Sequence, residues 1–133
     1  MNLREKAKKA TSRKESTITK GREKMKLEEL VASIGKRVTI CGVDILAVKD
    51  RDTNEKRDTA AMIVLEDAKH WVFGGAALLT IIEEWLTPEE GEPAPTIENI
   101  NEELSAHPIA VNLEKRQQKG DSRKSYWNYE IVD

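Results

Sequence analysis

The spacing of apolar residues changes several times along the chain, and each spacing predicts a different element. Four apolar residues recur at the spacing of a helix face: Leu27, Leu30, Val31 and Ile34. Gly35 is placed to end this short helix, because glycine readily adopts the conformation that closes one. The preceding residues, 1–26, are rich in Lys, Arg, Ser and Thr, which predicts a basic arm that is flexible or partly helical.

A long β-branched run over residues 38–48 predicts the first strand of a sheet. Val38 and Ile40 share one face, and Gly42 interrupts the alternation. After Gly42 the apolar positions continue one residue out of phase. A β-bulge produces this phase change in a strand that bends across a curved sheet.

Two further strands and a helix are predicted after the first strand. Residues 49–58 form a polar stretch that predicts a loop, and the apolar runs 59–65 and 70–73 predict the second and third strands. A tight connection is expected between these two strands, at residues 66–69. The apolar face of residues 77–85 predicts a helix, which Pro88 cannot continue.

The last part of the chain predicts a loop, a short helix and a hairpin. Residues 87–95 are acidic and rich in proline, so they are expected to form a loop, and Thr96 is placed to cap a short helix after it. Apolar residues then alternate with polar ones over 109–113, which predicts the fourth strand. Residues Gln117–Ser125 are predicted as a basic polar loop, and residues 126–132 as the last strand.

This order of elements predicts a mainly β structure with helices. Five strands, with a helical segment between strands 3 and 4 and a bulged first strand, are typical of the oligonucleotide/oligosaccharide-binding (OB) fold, a Greek-key barrel. We expect the OB-fold domain to span residues 27–133, after an arm over residues 1–26.

The formal net charge of −2 conceals an uneven distribution of charge. Residues 1–26 carry ten Lys or Arg and three Asp or Glu, whereas residues 27–109 carry seven and seventeen. The single cysteine, Cys41, cannot form an internal disulfide or a thiolate zinc site. No apolar run approaches the roughly 18 residues of a membrane span. We therefore expect a cytoplasmic protein with no membrane partner, metal or cofactor.

Four segments of the chain resemble single-stranded-DNA-binding proteins encoded by phages and plasmids of Gram-positive bacteria. They are GREKMKLEELVASIG, VTICGVDIL, HWVFGGAALLTIIEEW and PIAVNLEKRQQKGDSRKSYWNYEIVD. The resemblance covers roughly residues 21–133. It implies a nucleic-acid-binding protein, without catalysis, that protects single strands during DNA replication, DNA recombination or transfer.

Single-strand binding that tolerates any sequence needs aromatic faces on which bases stack. The stacking candidates are Trp71, Phe73, Tyr126 and Trp127. Trp71 and Phe73 share one side of the third strand, where they either fill the core or form a two-ring platform on the outer face. In the last strand Trp127 shares a side with Tyr129, so one or both are expected to face the core, while Tyr126 points outward.

Binding also needs cations that follow the phosphate backbone. The phosphate-contact candidates are Lys49, Arg51, Lys69, Arg116, Lys119, Arg123 and Lys124. Most lie in or beside the two polar loops that flank the ligand groove of an OB fold, although solvated loops would carry the same residues. The resemblance makes single-stranded DNA the expected partner, with single-stranded RNA as the alternative. The basic arm could also join copies of the protein into a homo-oligomer.

Two other classes of function compete with nucleic-acid binding. A nuclease would need carboxylates such as Asp44, Asp50, Asp52, Glu66 and Asp67 to hold a metal, but their spacing matches no known site, so no enzyme is expected. The acidic residues 27–109 instead favour the alternative of a protein-interaction or inhibitor module that binds a host factor.

Overall fold

A computed structural model of the chain describes residues 18–49, 52–118 and 121–132. In these ranges the chain forms a six-stranded sheet and three helices, and the strands contain more residues than the helices. The predicted class, mainly β with helices, is thereby confirmed. Most of the predicted arm, residues 1–17, lies outside the described ranges.

The elements follow one another in nearly the predicted order. The strands are β1 (Glu23–Met25), β2 (Arg37–Lys49), β3 (Lys56–Val64), β4 (Asp67–Phe73), β5 (Ile109–Gln118) and β6 (Asp121–Val132). The helices are α1 (Leu27–Ile34), α2 (Gly75–Leu86) and α3 (Ile97–Ala106). The sheet order is β1-β4-β3-β2-β5-β6, with β1 parallel to β4 and all other neighbours antiparallel. Within the described residues β4 and β6 do not pair, so the sheet is not closed into a barrel.

The three helices bury their apolar faces against one side of the sheet. Each contributes two buried residues to one core, namely Leu27 and Leu30, Leu78 and Ile82, and Ile100 and Leu104. Burying each such side chain stabilises the fold by about 1.5–3 kcal/mol. Thr96 caps α3 as predicted, because its side chain accepts a hydrogen bond from the backbone N–H of Asn99. The Asn99 side-chain oxygen in turn accepts one from the backbone N–H of Thr96.

The bulge predicted at Gly42 is present in β2. The register of β2 against β3 shifts between Ile40 and Gly42, where β2 also stops pairing with β5. The backbone N–H and C=O of Val43 instead bond the side-chain amide of Asn101 in α3, at 2.8 and 3.0 Å. A side chain at Gly42 would meet Ile63, since an added Cβ would lie 2.8 Å from its Cγ1 atom. The bulge is therefore fixed by a helix on one side and by close packing on the other.

The prediction of a polar loop over Gln117–Ser125 is wrong. Residue pairs as far out as Gln117 and Ser125 continue the ladder of β5 and β6, so the hairpin is longer than the apolar pattern indicated. The outer part of this hairpin is polar on both faces, so it shows no alternation of apolar and polar residues. Backbone hydrogen bonds alone extend the two strands there.

The connection between β3 and β4 is also shorter than predicted, because β4 starts at Asp67. The carboxylate of Glu66 fixes this turn by accepting hydrogen bonds from the backbone N–H of Thr39, at 2.6 Å, and from its hydroxyl, at 2.8 Å.

Residues 18–26, which the sequence places in the arm, pack on the sheet, and three of them form its edge strand β1. Ile18 is buried against Ala61 and Ile63, and β1 pairs with the edge of β4. Arg22 Nε donates a hydrogen bond to the backbone oxygen of Ala68, at 2.8 Å. This segment covers an edge strand that would otherwise expose its backbone groups.

Candidate nucleic-acid interface

The two faces of β4 contact different groups of residues. Val72 is 2 % exposed and belongs to the core beneath the helices. Trp71 and Phe73 point to the opposite face and pack, half-buried, against a second cluster formed by Ile18, Ala61 and Ile63. Their rings meet edge to face, with centroids 4.8 Å apart and planes at 87°. The pair therefore lies on the face opposite to the main core and is partly covered by the second cluster.

Strand β1 brings a lysine to the two rings. Lys24 lies opposite Trp71 in the β1–β4 register, and its Nζ atom is 4.7 Å from the centroid of the Phe73 ring. At this distance the ammonium group is attracted by the face of the ring. Sequence reasoning missed Lys24 as a site residue, because a parallel pairing of three residues leaves no local signal.

A groove of about 640 Å³ lies beside the two rings. It is lined mainly by the second half of β2, together with Lys56, Trp71 and Phe73. Two lysines, Lys49 and Lys56, and one carboxylate, Asp44, face this volume. The Asp44 carboxylate accepts a hydrogen bond from the backbone N–H of Ile45, at 2.8 Å. The groove thus combines aromatic faces with a small excess of positive charge.

A second depression, of about 460 Å³, adjoins the groove at Phe73. Its lining includes Lys24, Phe73, Thr59 and Trp127. Trp127 and Tyr129 both pack against the main core, which confirms the side of β6 predicted for them. Trp127 therefore supports the core and still contributes to the surface next to Phe73.

Tyr126 and Arg116 form a neighbouring pair on the long hairpin. They face each other in the β5–β6 register, and Tyr126 is 47 % exposed, as predicted. The guanidinium group of Arg116 lies 3.4 Å from the carboxylate of Glu114. Lys115, which lies between Glu114 and Arg116 on β5, forms an ion pair with Glu28 of α1. This contact lowers the pKa of the Glu28 carboxyl group.

The other predicted phosphate contacts are less fully defined. Lys69 is exposed on β4. Arg51 and Lys119 lie outside the described residues. Arg123 and Lys124 fall within β6, and their side chains are outside the described part.

A hydrogen bond links the last strand to the end of β4. The Tyr129 hydroxyl donates to the backbone oxygen of Gly74 at 2.7 Å, and the Gly74 N–H donates to the backbone oxygen of Ala60 at 2.9 Å. Burial raises the pKa of the Tyr129 phenol, so the group stays a neutral donor. A side chain at Gly74 would clash, since its Cβ would lie 2.6 Å from the Tyr129 hydroxyl oxygen and 2.2 Å from Leu78 Cδ2. The contact holds β6 against the strand that carries the two rings.

Two of the carboxylates considered for a nuclease, and the single cysteine, have structural partners. Glu66 bonds Thr39, and Asp67 lies 3.0 Å from the Nδ1 atom of His70. The Cys41 thiol donates to the backbone oxygen of Ile63 at 3.6 Å, and burial raises its pKa. In residues 18–49, 52–118 and 121–132, no group of three or more His, Cys, Asp or Glu could hold a metal ion.

A comparison of the chain with protein-family models, curated proteins and solved structures finds no match. Across the described ranges, none of the helices has the length and apolar character needed to cross a membrane.

Proposed function

We propose that the protein binds single-stranded DNA without catalysis and protects it during the replication, recombination or transfer of a phage or plasmid. The observation that carries this proposal is the position of Trp71 and Phe73. A small domain with few aromatic residues gains stability by burying them in its main core. Here two of the six aromatic residues instead lie half-buried beside a groove lined with lysines.

We also propose that strands β2 to β6 form a partly open OB fold. Two features support this assignment. The long bulged strand β2 pairs with both β3 and β5, and β6 follows β5 in the sheet. The Tyr129–Gly74 hydrogen bond joins β6 to the end of β4, where a closed barrel would pair its edge strands.

In this proposal bases stack on the exposed part of Trp71 and on Phe73, at about 1–3 kcal/mol per base. Lys24 lies over the Phe73 ring in the free protein. A base that stacked on that face would displace the ammonium group towards the phosphates. Lys49 and Lys56 would contact the backbone in the groove, and the strand would continue past Trp127 to the exposed pair of Tyr126 and Arg116.

The charge of this surface predicts modest affinity with a clear dependence on salt. Four lysines line the two depressions. Lys24, Lys49 and Lys56 lie beside the two rings and can neutralise phosphates, Lys26 lines the second depression, and the carboxylates Asp44 and Glu28 oppose them. Each contact to a single strand lowers the slope of log K against log salt by about 0.7, so three contacts predict a slope near −2.

Fluorescence anisotropy with a labelled single-stranded oligonucleotide, measured at two salt concentrations, tests the proposal. We expect saturable binding that weakens with salt, and an intact oligonucleotide afterwards. An RNA of the same sequence, titrated in parallel, determines which nucleic acid is preferred. Absence of binding at low salt would contradict the proposal and favour the acidic protein-interaction module. Magnesium-dependent cleavage would show that the protein is an enzyme.

A further inference from the structure

A third surface depression lies on the helical side of the sheet, away from Trp71 and Phe73. It has a volume of about 440 Å³ and lies between the end of α2, the loop that follows it and α3. We call it the helical groove. Its apolar lining is formed by Trp85, Pro93, Pro95, Ile100, Leu104 and Ile109. It offers an apolar contact surface that the DNA-binding proposal does not use.

The rim of the helical groove is acidic. Four exposed glutamates line it, at positions 84, 89, 92 and 103, and none of the described lining residues is basic. The whole segment 75–106 contains eight glutamates and no lysine or arginine. Lysine and arginine side chains fit such a surface, because their methylene groups pack on apolar residues while their charges meet the carboxylates. The half-buried indole of Trp85 adds a ring face that attracts cations.

The chain itself contains a segment of the complementary chemistry. Residues 1–17 carry six lysines or arginines against two glutamates, with Leu3 and two alanines between them. The segment joins the domain at Ile18, which is buried on the face of the sheet opposite to the helices. Seventeen residues can span at most roughly 60 Å when extended. They are therefore long enough to reach the helical groove of a neighbouring copy.

We propose that the helical groove binds the N-terminal segment, residues 1–17, of a neighbouring copy of the protein. The contact is head-to-tail, since each copy offers a segment from one face and a groove on the other, and such contacts propagate into open chains. It does not rest on DNA binding, because the groove and the two rings lie on opposite sides of the sheet. On a single strand the same contact would make neighbouring copies bind cooperatively.

Sedimentation velocity of the full chain without nucleic acid tests this contact. We expect self-association that increases with protein concentration and weakens with salt. Glu84→Lys combined with Glu103→Lys should weaken it by about tenfold or more, because attractive pairs become repulsive. Glu102→Lys is the matched control, since Glu102 is exposed on α3 but does not line the groove. Circular dichroism of each variant checks that it is folded.

A charge exchange separates a direct contact from an indirect effect. Lys8→Glu combined with Lys9→Glu should weaken association as much as the groove variant does. A chain that carries all four changes should recover much of the association, which a folding defect would not allow. A full chain that stays monomeric at its highest soluble concentration would overturn the proposal. Equal association of the groove variant and the Glu102→Lys control would also overturn it.

Discussion

Adjacent residues of β4 provide a direct test of the two faces of the sheet. Val72 contacts the core beneath the helices, and Trp71 contacts the cluster on the outer face. Replacing Trp71 by leucine removes the aromatic face but keeps an apolar side chain against Ile18 and Ile63. Replacing Val72 by alanine leaves the outer face intact. The first change should act on DNA binding and the second on stability.

The expected magnitudes follow from what each side chain contacts. Val72→Ala removes two buried carbon atoms, at about 0.8 kcal/mol each, and leaves a small cavity, so the free energy of unfolding should fall by about 2 kcal/mol. For a domain of this size, the melting temperature should fall by roughly 5–10 °C. Trp71→Leu removes one stacking surface, about 1–3 kcal/mol, which corresponds to a Kd weaker by roughly 5- to 150-fold. It also removes the edge-to-face contact with Phe73, about 0.5–1.5 kcal/mol of stability.

Thermal unfolding of both variants measures the loss of stability, and anisotropy titrations in the same low-salt buffer measure the change in Kd. We expect Val72→Ala to bind with the affinity of the unmodified protein at a temperature where it is fully folded. Unchanged affinity of Trp71→Leu would refute stacking on that ring. Equal weakening of binding by both substitutions would show that β4 has no dedicated binding face.

Three smaller changes test other parts of the interface. Asp44→Asn removes the carboxylate from the groove and should tighten DNA binding by about two- to fivefold at low salt, with a smaller gain at high salt. An unchanged Kd would show that the DNA does not pass through this groove. Lys49→Ala should make the slope of log K against log salt shallower by about 0.7, whereas a line parallel to that of the unmodified protein would exclude a phosphate contact. Tyr129→Phe leaves the Gly74 carbonyl without its donor and should lower the free energy of unfolding by about 1–2 kcal/mol in urea, and an unchanged midpoint would contradict a role for this hydrogen bond in stability.

The bulge and the helix faces could be predicted because their signals are local. The phase change at Gly42 and the spacing of Leu78 and Ile82 are visible in short windows of sequence, and the structure has both features. Strand β1 could not be predicted in this way. Its three residues gain their order from pairing with β4, which is more than forty residues away in the chain. The outer half of the hairpin was missed because polar strands show no apolar alternation.

The candidate site was only partly predictable for a related reason. Trp71 and Phe73 were selected from their residue type, but their direction depends on which face of β4 is covered by the main core. That choice depends on Ile18, more than fifty residues away in the chain, which packs with Ile63 on the face opposite to the main core. Lys24 could not be predicted as a site residue, because its position over the Phe73 ring depends on the long-range pairing of β1 with β4.

Tryptophan fluorescence tests base stacking on β4 most directly. The chain has three tryptophans, so Trp85→Phe combined with Trp127→Phe leaves Trp71 as the only indole emitter. Titration with an unlabelled single-stranded oligonucleotide should quench this emission, and the quenching should saturate at the same concentration as the anisotropy of a labelled strand. A rise in anisotropy with unchanged Trp71 emission would contradict stacking at this position. Absence of both signals at low salt would contradict single-strand binding itself.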